Sequence, residues 1–320
     1  MRASLASALV TAALLCLLKQ ASGQDRANGL PTDLQVVQTP DVIYGRKLGV
    51  ALTMDVFQPK ENANGAAVIF CVSGGWVSDS QALNNPAVAL FVAEPVKRGY
   101  TVFAVYHGSQ PKFTVPEVIS DMQRAVRYIR HHAKDYGIDP QRIGITGGSA
   151  GGHLSLMQGT AGDQGNAKAP DPVERESSRV QAVACLFPPT DFLNYGGEGH
   201  YAFGEGELLF GFRGAVDVRE FDPKTARLER STDEKKAREL AAQISPITHA
   251  SADDPPALIV HGDADKLVPI QQAELLVTKL KELGVEAELL RRPKRGHDFF
   301  GIDKDVIAIT DWFDKHLKSK

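Results

Sequence analysis

Residues 142–154 read Arg-Ile-Gly-Ile-Thr-Gly-Gly-Ser-Ala-Gly-Gly-His-Leu. Arg142 to Thr146 is a short apolar run of strand type, and helical patterning follows the glycines. Between the two, Gly147-Gly148-Ser149-Ala150-Gly151 fits the pattern G-x-S-x-G. A hydroxyl that attacks a carbonyl must stand on a sharp strand-to-helix turn, where small neighbours let the backbone bend and the substrate approach. The pattern alone is weak, because Gly and Ser are common and a glycine-rich turn can instead hold a phosphate on a helix N-terminus. Its surroundings decide between the two.

Outward from this turn, strand-like and helix-like segments alternate. Val50 to Phe57, Ala66 to Val72, Tyr100 to Tyr106, Val180 to Leu186, Ala257 to Val260 and Glu286 to Leu290 read as strands. The run Ala66 to Val72 is continuously apolar, which predicts burial on both faces. Helical stripes separate these strands: one at Val88, Phe91, Val92 and Val96, and another at Val118, Met122, Ala125, Val126 and Ile129. Ala273 to Leu283 and Ile302 to Leu317 are two more. Arg124, Arg127 and Arg130 lie on the opposite face of the second helix and read as a solvated surface. Alternation of this kind predicts an α/β fold with a mostly parallel sheet covered on both sides. The stretch from Asp191 to Asp254 breaks the rhythm, with roughly 60 residues where connections are usually short. Its first half is rich in Gly and aromatics, and in its second half Ser231 and Glu234 resemble a capping box opening a helix through Ile244 that Pro246 ends. Such an insertion is expected to fold over a site as a cap.

A nucleophilic serine needs a base and an acid, and in this kind of fold they follow it in the order Ser, Asp, His. His297, in Arg295-Gly296-His297-Asp298-Phe299, sits between the last strand and the last helix, on a loop able to bring an imidazole to the hydroxyl. His107, His153, His249 and His261 read better as structural or supporting groups. The acid should follow the strand Ala257 to Val260, where His261-Gly262-Asp263-Ala264-Asp265-Lys266-Leu267-Val268-Pro269 offers two carboxylates. A two-aspartate metal site is the alternative, but no His or Cys ligand spacing accompanies it. The N–H of Ala150, next after the serine, is placed to hold an oxyanion.

From about Asp41 to the C-terminus the chain resembles bacterial α/β-hydrolase esterases, in the branch near hormone-sensitive-lipase-like enzymes and the xylan-acetyl and feruloyl esterases. The matching stretches are residues 139–154, 261–269 and 295–299. The resemblance implies that the acid is Asp265, the aspartate of H-G-x-x-D-x-x-V-P. It also implies that Gly74 and Gly75 carry oxyanion donors, since Val72-Ser73-Gly74-Gly75-Trp76 stands where the family has H-G-G-G-W. The chain departs from the family in Val72 and Ser73, and in Tyr106-His107 where Tyr-Arg is frequent. Together these imply a serine carboxylic-ester hydrolase forming an acyl-enzyme through Ser149, His297 and Asp265, with no cofactor and no metal. Two other readings share the motifs: a prolyl-oligopeptidase-like peptidase and a non-catalytic binding protein.

Of 320 residues, 36 are basic and 39 acidic, a net charge of −3, with no basic run that suggests nucleic acid as a partner. The N-terminus resembles an export signal: Arg2, an apolar run from Leu5 to Leu18, and small residues at Ala21 and Gly23. The expected organisation is a signal peptide at 1–23, a leader at 24–40 and a hydrolase domain at 41–320 with an insertion at about 191–254. Lys19 and Gln20 stop the apolar run short of the ~20 residues a membrane span needs, so stable membrane insertion is not expected. In the strand order that the resemblance implies, Cys71 and Cys185 fall on strands separated by a third, ~9.5 Å apart and beyond disulfide reach. Tyr195, Tyr201, Phe203, Phe210 and Phe212 could stack on a sugar or an aromatic acyl group, or simply pack the insertion onto the core. The expected substrate is a small-molecule or polysaccharide-linked ester with a short or aromatic acyl group, met outside the cytoplasm.

Overall fold

The computed structural model describes residues 29–217, 219–231 and 233–318; the expected signal peptide and its cleavage site lie outside them. Eight strands form one sheet, taken here in chain order: β1 (Val36–Lys47), β2 (Val50–Pro59), β3 (Ala67–Cys71), β4 (Thr101–Val105), β5 (Ile143–Gly148), β6 (Ala182–Leu186), β9 (Ala257–Gly262) and β10 (Ala287–Arg292). Their spatial order is β1-β2-β4-β3-β5-β6-β9-β10. β1, β2 and β4 pair antiparallel, and every pairing from β4 through β10 is parallel. This is the mostly parallel, doubly wound sheet that the alternation predicts, in the α/β-hydrolase arrangement that the resemblance implies.

Burial on both sheet faces explains the continuous apolar strands. On β3, Ala67, Ile69 and Cys71 face one core, while Val68 and Phe70 face the other. The first core lies under α2 (Val115–His131), α3 (Ala150–Thr160) and α6 (Gln271–Glu282), the second under α1 (Pro86–Lys97) and α7 (Asp303–Leu317). Cys71 on β3 and Cys185 on β6 are free and buried, with β5 between their strands.

Strand β1 occupies the end of the segment expected to be a leader, so sheet pairing starts before residue 41. It is an edge strand whose register shifts between Thr39 and Val42 and again between Ile43 and Gly45. Those irregularities break the alternation by which a strand is recognised. The arginines of α2 are a second correction. Arg127 and Arg130 are buried, covered by the 161–181 connection. Arg127 binds Asp163 at 2.6 Å and Glu174 at 3.1 Å, Arg130 donates to Pro140 O at 3.1 Å and Arg179 O at 2.6 Å, and Arg124 pairs with Asp171 at 2.9 Å.

The insertion leaves the sheet after β6 and returns at β9. It contains a 3-10 turn (Phe210–Val216), a hairpin of β7 (Arg219–Asp222) and β8 (Arg227–Arg230), α4 (Glu234–Gln243) and α5 (Pro246–His249). Asp233, not Ser231, caps α4 by accepting from Lys235 N and Lys236 N, and Pro246 opens α5 rather than merely ending α4. Phe192, Tyr195 and Phe203 are buried in the first core, so these aromatics pack the insertion onto the sheet. Tyr201, Phe210 and Phe212 stay half-buried.

Candidate active site

Ser149 stands between β5 and α3 with φ 55° and ψ −120°, a conformation that side-chain-bearing residues rarely adopt. The turn is held by Ser149 N donating to Leu186 O at 3.0 Å and by His153 N donating to Ser149 O at 2.9 Å. Its tightness explains the glycines. A Cβ on Gly147 would lie 2.6 Å from the Gly151 carbonyl, and one on Gly151 would lie 2.6 Å from Cys71 O. The serine Oγ does not cap α3, which leaves it available to another partner.

That partner is His297, on the loop between β10 and α7. Its Nε2 lies 2.9 Å from Ser149 Oγ and its Nδ1 lies 2.7 Å from Asp265 Oδ2. With Nδ1–H donating to the carboxylate, Nε2 is the atom that accepts from the serine hydroxyl. Phe187 backs the imidazole, ring centres 4.4 Å apart. Asp265 follows β9, and its Oδ1 accepts from Leu267 N and Val268 N, each at 2.9 Å. Burial pushes its carboxyl up, but hydrogen bonds from His261 and His297, the charge of His297 and the backbone N–H groups outweigh burial and hold it well below the usual range. His261 Nε2 donates to Val268 O at 2.8 Å and lies 3.5 Å from Asp265 Oδ2, the supporting place expected of it. Asp263 is exposed and turned away, accepting from Lys294 N at 2.6 Å.

In the turn expected to carry oxyanion donors, the structure commits one of the expected N–H groups to another partner. Gly74 N donates to Val77 O at 2.9 Å and Val77 N returns to Gly74 O at 3.0 Å, closing a two-residue turn whose tip is Gly75 and Trp76. The Gly74 N–H is therefore committed. Among the described residues, the N–H groups of Gly75, Trp76 and Ala150 have no acceptor. The turn thus leaves the Trp76 N–H uncommitted where Gly74 was expected to be, and the tryptophan of the quoted motif is the one signal that could have pointed to it. The Trp76 indole is buried and donates to His153 Nδ1 at 3.1 Å, while His153 Nε2 reaches Ile244 O of the insertion at 2.7 Å. Phe192, Phe203 and Phe212 surround the indole, with ring centres 5.9, 6.0 and 6.2 Å away. Burial lowers the pKa of His153 to about 4 against the pull of the Ile244 bond, so the imidazole is neutral. His107, in the Tyr106-His107 departure, is buried on its own loop with Nδ1 2.7 Å from Gly108 O. No group of three or more His, Cys, Asp or Glu among the described residues is arranged to hold a metal.

A strained serine, a hydrogen-bonded His–Asp pair and uncommitted N–H groups on an α/β-hydrolase fold form an arrangement with the chemistry that nucleophilic acyl transfer requires. The BD-FAE family model matches residues 54–280, and the chain belongs to that family. It is 31% identical to the probable carboxylic ester hydrolase LipM of Mycobacterium tuberculosis over 246 residues, 76% of this chain and 52% of LipM. It is 27% identical to the esterase LipQ of the same organism, over 84% of this chain and 59% of LipQ. The chain therefore spans little more than half the length of these relatives. Among solved structures, a truncated carbohydrate esterase from gut microbiota superposes with a TM-score of 0.71 at 26% identity, covering 90% of this chain and 98% of that one.

Proposed function

We propose that the protein is a serine carboxylic-ester hydrolase, and the observation that carries this is the Ser149–His297–Asp265 chain, with contacts of 2.9 and 2.7 Å, on a strained elbow. Ser149 Oγ attacks the ester carbonyl carbon while His297 Nε2 takes its proton, and the carbonyl electron pair moves onto oxygen. The Gly75, Trp76 and Ala150 N–H groups hold that oxyanion. Its collapse expels the alkoxide, which takes the proton from His297 and leaves an acyl-serine. Water then attacks the acyl carbon, giving its proton to His297, and the carboxylic acid departs as Ser149 regains its proton. Asp265 keeps His297 in the tautomer that accepts at Nε2 and stabilises the imidazolium. Esterase relatives and the esterase neighbour support this reading.

The substrate class is the second part of the proposal: short acyl or carbohydrate-linked esters. A carbohydrate esterase as structural neighbour supports it, as do the half-buried rings of Tyr201, Phe210 and Phe212 in the insertion. Initial rates on p-nitrophenyl esters from acetate to palmitate, beside acetylated xylan and methyl ferulate, test it. Fastest turnover on palmitate with activation at an oil–water interface would refute the substrate class. Export with cleavage after Gly23 is proposed on the apolar run from Leu5 to Leu18. Sequencing the N-terminus of protein from the periplasm or medium tests it, with Gln24 expected first.

A further inference from the structure

We propose that Gln110 is a positioning residue for the oxyanion turn, setting the direction in which the Trp76 N–H points; this rests on the reading of that turn given above. In a trans peptide the C=O and the following N–H point opposite ways. The Gly75 N–H is therefore aimed by whatever holds Gly74 O, and the Trp76 N–H by whatever holds Gly75 O. Gly74 O is held inside the turn, by Val77 N at 3.0 Å. Gly75 O is held from outside, by Gln110 Nε2 at 2.5 Å. The backbone N of Gln110 also donates to Trp76 O at 3.1 Å, so one residue engages two successive carbonyls of the tip.

The brace is needed because the local sequence prefers a different turn. Gly followed by a side-chain-bearing residue favours the type II′ form, in which only the first tip residue has positive φ. Here both do, Gly75 at 55° and Trp76 at 60°, the pattern of a type I′ turn, which is costly for Trp. The two forms differ by a flip of the peptide between the tip residues. That flip would relieve Trp76, reverse its N–H and turn the Gly75 carbonyl oxygen toward the position the N–H had faced. A bond on Gly75 O from a group outside the turn opposes it directly. The partner is a carbonyl, which only accepts, so the Gln110 amide must present its NH₂ there. The other amide atom faces the insertion, where a Cβ on Gly214 would come within 3.1 Å of Gln110 Oε1.

Two variants of the full chain test this. Gln110→Met keeps the volume and loses the donor; Gln110→Glu keeps the shape and sets an acceptor against an acceptor at pH 8. Both keep the backbone bond to Trp76 O. With p-nitrophenyl acetate, kcat is expected to fall ~100-fold, in the range for a lost oxyanion donor. KM should move less than about threefold, as for an interaction made only in the transition state. Affinity for a trifluoromethyl ketone, which forms a tetrahedral adduct with an active serine, should fall in parallel with kcat. Unchanged kcat in either folded variant, or a loss confined to KM, overturns the inference and leaves the Ser149 reading intact. Unfolding of both variants also overturns it, since a bond that only aims one peptide does not carry the fold. Hydrolysis that survives Ser149→Ala overturns the underlying reading of the site instead.

Discussion

The Asp263 carboxylate accepts a hydrogen bond from the backbone N–H of Lys294 at 2.6 Å, pinning the His297 loop at a residue whose φ is 60°. Two residues on, Asp265 meets the His297 imidazole itself at 2.7 Å. Neighbouring aspartates thus hold the same loop by its backbone and by its ring. Asp265→Asn offers an NH₂ or a weaker acceptor to Nδ1–H and favours the wrong tautomer, so kcat should fall by roughly 10⁴. Asp263→Asn keeps an oxygen for Lys294 N and should cost less than about tenfold, its bond being one of ordinary strength. Steady-state kinetics on the two variants checks the ranking, and the reverse order would mean that the acid has been assigned to the wrong residue.

Ser149→Ala removes the hydroxyl and leaves an elbow that Ala occupies with the same Cβ. Folding should persist, and p-nitrophenyl acetate hydrolysis should drop below about a thousandth of wild type. Labelling by a fluorophosphonate should vanish with it. Wild-type protein that takes no label would favour a binding protein on this fold over an enzyme.

The elbow is legible in sequence because sterics write it there: Gly147 and Gly151 each sit where a Cβ would strike backbone at 2.6 Å. Asp265 follows β9, whose full burial keeps Ala257 to Val260 apolar, so its end can be read; His297 follows β10, a half-exposed edge strand, and is placed instead by its position between that strand and the last helix. Other features depend on contacts that no local pattern records. Gly74 looks like a donor until Val77 O claims its N–H, and Gln110 lies on a loop of no distinct composition. Arg127 and Arg130 have the spacing of a solvated helix face and are buried because a later segment folds across them. Strand β1 escapes notice because its register shifts spoil the alternation.

Steric necessity at the elbow can be measured against a glycine that has room. Gly151→Ala would set a Cβ 2.6 Å from Cys71 O, a backbone atom fixed in the sheet, whereas a Cβ on Gly211 meets nothing within 4 Å. Overpacking of this type costs roughly 1–3 kcal/mol. Gly151→Ala should lower the urea midpoint and kcat together, since relief requires moving α3 and the serine above it. Gly211→Ala should change neither. Equal midpoints for the two would mean that the elbow adjusts more freely than its contacts imply.

The last prediction concerns acid stability and starts from two buried imidazoles. Burial lowers His153 and His107 each from an ordinary 6.5 to about 4, against the pull of their backbone hydrogen bonds. Between those values both stay neutral in the fold and take up protons once unfolded. The unfolded chain then binds more protons, so stability is complete above pH 6.5 and falls as the pH drops toward 4. A shift of this size corresponds to about 3 kcal/mol for each fully buried group, an upper figure. Asp265, held low in the fold, extends the loss in the same direction at still lower pH. For His153 the consequence reaches the site, because a protonated Nδ1 cannot accept from the Trp76 indole and the strut from Trp76 to Ile244 breaks. His153→Gln can supply an oxygen to Trp76 and an NH₂ to Ile244 O without titrating. Thermal midpoints measured from pH 7.5 to 4.5 should therefore fall less steeply for His153→Gln than for wild type, and less again when His107→Gln is added. Parallel curves for all three proteins would show that neither histidine is held neutral by the fold.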